Sequence, residues 1–70
     1  MSTHYVLRKH YPTSAPTDEV LDTPPTEMFL DRINDPVFTR AFYGTRHTRV
    51  EIVEVVTAET VVAASNPAEG

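Results

Sequence analysis

The sequence predicts a small single α+β domain. It should comprise an N-terminal strand, a proline-rich loop, one kinked or two short helices, and two further β-strands packed against the helical face. Three observations carry this. Residues 3–11 are rich in β-formers and free of Gly and Pro. Residues 23–44 place two helix starts and one stop around most of the bulky apolar side chains. Residues 45–64 then return to Val, Ile and Thr.

As a strand, 3–11 puts Tyr5, Leu7, Lys9 and Tyr11 on one face and His4, Val6, Arg8 and His10 on the other. The tyrosine face is the better candidate for burial, with Lys9 reaching past the edge on its aliphatic stem. Residues 12–25 hold four of the six prolines, Pro12, Pro16, Pro24 and Pro25, and read as a loop that Val20 and Leu21 pin to the core.

A helical region follows over 24–43. Thr23 is a candidate cap, with proline in the first turn and Glu27 near the positive end of the dipole. Phe29, Ile33, Val37 and Ala41 recur every fourth residue, and Leu30, Phe38 and Phe42 widen the stripe. Pro36 interrupts it, which favours two helices or a sharp kink, with Asp35 as a second cap and Gly44 as the terminator.

Residues 45–57 form the next strand. Val50 and Ile52 share a face, with Arg49 and Glu51 on the other; Val53 and Val55 then fall on the Glu51 face. A bulge near Ile52–Val53, or burial on both faces, accounts for the slip. Residues 59–64 read as a third strand in preference to a short helix, although Thr57-Ala58 lacks a tight-hairpin signature. Residues 65–70 read as a loose tail.

Composition narrows function. There is no cysteine, hence no disulfide, thiolate zinc site or cysteine nucleophile. A net charge of −4 gives no broad footprint for nucleic acid. No apolar run approaches the roughly 20 residues of a membrane span, and no apolar stretch follows Arg8 and Lys9 as in a secretory signal. A cytoplasmic location is expected. One lysine against five arginines is the bias of a GC-rich coding genome, such as an actinobacterium or its phages.

Candidate chemistry is sparse. His4 and His10 on one strand face stand about 20 Å apart and cannot share a metal ion. His47 with Glu51 is a conceivable acid–base pair, but no HxxH, Gly-x-Ser-x-Gly or calcium-loop spacing accompanies it. Glu27, Asp31 and Asp35 fall at successive fourth positions, a solvent face or an acidic track for a basic partner. Arg46, His47 and Arg49, with Arg8, Lys9 and His10, make a small basic patch that could contact phosphate.

The sequence therefore favours a non-catalytic accessory protein, without cofactor or metal, that docks on a larger protein or assembles with itself. Its candidate contact residues are Glu27, Asp31, Asp35, Phe38, Phe42, Arg46, His47, Arg49, Val53 and Val55. A nucleic-acid accessory using Arg8, Lys9, Arg46 and Arg49 is the alternative. A small oligomeric enzyme with His47 as base is the third reading.

Overall fold

A computed structural model describes residues 3–69. Its elements run β1 (His4–His10), β2 (Thr17–Val20), α1 (Glu27–Ile33), α2 (Pro36–Tyr43), β3 (Arg49–Val55) and β4 (Glu59–Ser65), then a 3₁₀ turn at Pro67–Glu69. The strands form one antiparallel four-stranded sheet in the order β2-β1-β3-β4, with both helices on one side, so the α+β class is met.

Three caps divide the helical region as elementary helix chemistry demands. Thr26, not Thr23, caps α1, its hydroxyl accepting from the Phe29 N–H at 3.1 Å. The helix starts later than 24 because Thr23 and Pro24 each precede a proline and are held extended. Asp35 caps α2 by accepting from the Val37 N–H at 2.9 Å, with Pro36 at the first helical position. Gly44 ends α2 at φ 82°, a conformation that favours glycine.

The break at Pro36 redirects the stripe expected to run through both helices. Ile33 is fully buried and Phe29 and Leu30 pack against the core, but Val37 and Ala41 face solvent. In α2 the fully buried residue is Thr39, whose hydroxyl lies near the Asp35 and Pro36 carbonyls and 2.9 Å from Ser65 Oγ. A buried hydroxyl is tolerated because it is hydrogen-bonded.

Two further expectations are corrected. The proline-rich segment contains a strand, β2, which pairs with β1 from Val6↔Val20 to Lys9↔Thr17. The C-terminal segment is not loose: Pro67 is fully buried, and the 3₁₀ turn packs on α2. The change of phase near Ile52–Val53 reflects burial on both faces of β3, whose register with β1 runs unbroken from His4↔Val55 to His10↔Arg49. In the β3–β4 ladder Ile52 opposes Ala63 and Val53 opposes Val61, so Val62 is the extra residue of a bulge carried by β4.

The helix-side core is Leu7, Ile33, Val50, Ile52 and Ala63, with Tyr5, Leu21, Phe29, Leu30, Tyr43 and Val62 around it. Each full burial of a Leu, Ile or Val contributes about 1.5–3 kcal/mol. Asn34, between the helices, accepts from the Ala64 N–H at 3.0 Å and covers that end of the β4 edge.

Candidate functional site

The surface divides into two regions of different electrostatics. On the sheet face away from the helices, one valine from each strand forms a transverse row, Val20–Val6–Val53–Val61. Val6 and Val53 are nonetheless buried, although no element among the described residues covers this face. Arg8 explains it. Its guanidinium meets Asp18 on β2 through Nε and Nη2 (2.7 and 3.0 Å) and Glu59 on β4 through Nη1 and Nη2 (3.0 and 3.1 Å). Those carboxylates stand on the two edge strands, so the arginine lies across β1 and β3 and roofs the two central valines. It holds both carboxyls below their usual range, and they in turn raise its own pKa.

Beside this roof sits Glu51, itself buried, with His10 Nε2 at 2.7 Å and Arg49 Nε at 2.8 Å on its two oxygens. Burial pushes the carboxyl up, but the hydrogen bonds and charges of His10 and Arg49 outweigh it and leave the group below its ordinary value. An ionised Glu51 can only accept, which places a proton on His10 Nε2. The imidazole partnered with Glu51 is therefore His10, not His47.

His47 lies elsewhere, buried, with its ring edge-on to Tyr11 at 4.9 Å and its Nδ1 without a hydrogen-bond partner. Burial, with Lys9 and Arg46 nearby, lowers its pKa and disfavours the imidazolium. A cleft of about 340 Å³ lies away from it, lined by residues 21–26 and Phe29, with Asp22 as its sole ionisable group. No group of three His, Asp or Glu side chains among the described residues is placed to hold a metal ion.

The second region is the outer side of the helices. Phe38 and Phe42, one turn apart, stack at 5.7 Å, and Phe42 meets Tyr43 edge-on at 4.9 Å. Arg32 lies over the Phe38 ring at 5.5 Å and Lys9 over the Tyr43 ring at 5.1 Å, so a cation closes each end of the aromatic row. Phe42 is 69 % exposed, Val37 64 % and Met28 63 %. Tyr43 is raised in pKa by burial and by the charge of Glu19.

The ten residues singled out from the sequence are thus dispersed. Phe38 and Phe42 form the aromatic row, with Glu27 and Asp31 exposed on the neighbouring helix. Asp35 is a helix cap, Arg46 is exposed, and His47 is buried against Tyr11. Arg49 holds Glu51, Val55 is half-buried, and Val53 has no accessible surface to offer a partner. Reasoning from sequence missed Lys9, Arg32 and Tyr43 as members of the row, and the exposed Met28 beside Arg32 on α1. The Met28–Arg32 spacing of four was the available signal.

No helix among the described residues is long and apolar enough to cross a membrane. No protein-family model, curated protein or solved structure matches the chain.

Proposed function

We propose that this chain is a non-catalytic interaction module that docks, through the outer side of its helices, on a larger protein or assembly or on its own copies. The cytoplasm is the expected setting, of a GC-rich bacterium or of a phage-infected host. The observation that carries the reading is Phe42: a phenylalanine more than two-thirds exposed, stacked in a continuous aromatic row with a cation over each end. Large aromatic side chains with arginine are the residue types that anchor protein interfaces. The engagement of Arg8 and Arg49 by carboxylates leaves less positive charge for a phosphate backbone and favours the protein reading over the nucleic-acid one. His47, enclosed and away from the cleft, favours it over the enzyme reading.

The test is cross-linking and capture from the organism that encodes the chain, with Phe42→Asp and, as control on the opposite face, Val20→Asp. Proteins retained by the wild type and by Val20→Asp should be lost with Phe42→Asp. Retention of the same set by Phe42→Asp removes the proposal.

A further inference from the structure

Resting on that reading, we infer that the occupant of the aromatic row is a second copy of this chain in a two-fold arrangement. A two-fold interface must be self-complementary, each patch presenting both halves of every contact. This one does. No ion pair among the described residues includes Lys9 or Arg32, whose ring contacts leave their charges without a carboxylate. The same holds for Glu27 and Asp31, which form a stripe along α1 beside that of Met28 and Arg32. The patch therefore carries charges of both signs, with Glu19 acting on Tyr43 as well, around an apolar surface of Phe42, Val37 and Met28. A surface of one sign would repel its own copy; this arrangement attracts it.

Size agrees. The molecule is a slab of 36 × 28 × 17 Å, whose broad faces are large enough for the roughly 800 Å² per partner of a standard stable interface. The opposite broad face exposes Val20 and Val61 only at its two edges, and is the poorer candidate because Arg8 separates them and its charges are matched internally.

Charge reversal tests this directly. In light scattering at about 100 µM, which populates a micromolar dimer, the wild type should show twice the 7.8 kDa chain mass. Phe42→Ser should weaken the dimer at least tenfold, while Val20→Asp should not. The doubly reversed variants Glu27→Lys/Asp31→Lys and Lys9→Glu/Arg32→Glu should each be monomeric. Mixed together they should form a 1:1 heterodimer, since both halves of the interface are then opposite in sign. All reversed positions are at least partly exposed, and circular dichroism checks that each variant is folded.

A monomeric wild type overturns the second-copy inference. If capture of another protein then still depends on Phe42, the docking reading stands with a different occupant; if not, both fail. A dimer broken by Val20→Asp but not by Phe42→Ser, or reversed variants that do not pair, also overturns the inference.

Discussion

The two broad faces of this molecule each lay an arginine over apolar side chains, with opposite electrostatic outcomes. On the open sheet face Arg8 covers Val6 and Val53, and its guanidinium is held by two bidentate carboxylates from the edge strands. On the helical side Arg32 covers Phe38, and Lys9 covers Tyr43, with no carboxylate on either. The first face is closed at its centre: its charges are matched and its central valines are out of water, while Val20 and Val61 on the edge strands stay exposed. The second has apolar area in water and charges of both signs that seek partners. A small protein can thus seal a sheet face without a second layer, using a long side chain and two carboxylates in place of a helix.

The sharpest way to break the contrast is beneath the roof. Val53→Asp puts a carboxylate where there is no accessible surface, under Arg8 but beside Glu51. We expect a loss of about 3–5 kcal/mol, enough to unfold a domain of this size, read as loss of cooperative urea unfolding. Arg8→Ala should cost less, about 1–2 kcal/mol, from uncovered valines and two unpaired but partly exposed carboxylates. Urea midpoints measure it, and an unchanged midpoint would show that Arg8 is not the roof.

Acid should act in two stages. His47 has a lowered folded pKa, so the unfolded chain takes up its proton first; the stability this contributes is present above about 6.5 and declines as pH falls through that value. The Glu51 and Glu59 carboxyls are also lowered, so their contribution is intact above about 4.5 and is lost below it, and that of the lowered Asp18 is lost below about 3.8. Thermal midpoints from pH 8 to 3 should therefore fall slightly near pH 6 and more steeply below 4.5. His47→Leu should abolish the first decline alone. On the helical face the smallest effect on stability is expected: Phe42→Ser should change the urea midpoint of the monomer by less than about 0.5 kcal/mol equivalent. A large loss there would mean that the exposed ring is structural.

Much of the backbone was legible in advance. The Asp35-Pro36 start and the Gly44 stop of α2 follow from local chemistry and occur where that chemistry puts them. So does β1, whose tyrosine face lies toward the helices. β2 was illegible because Thr17–Val20 is four residues long and wholly exposed; it becomes a strand only because β1 offers it a free edge. The run from Phe29 to Ala41 misled because a fourfold repeat presupposes one axis, and Pro36 starts a second.

Chain-local physics alone settled where α2 begins and ends, that three segments extend, and that no cysteine staple exists, because caps, proline and glycine act within a turn of themselves. Tertiary structure decided which apolar residues stay wet and which charges find each other. Arg8 meets Glu59 across 51 residues and Glu51 meets His10 across 41. Such pairings depend on strand order, which no local pattern encodes, and with them go the sealing of one face and the openness of the other.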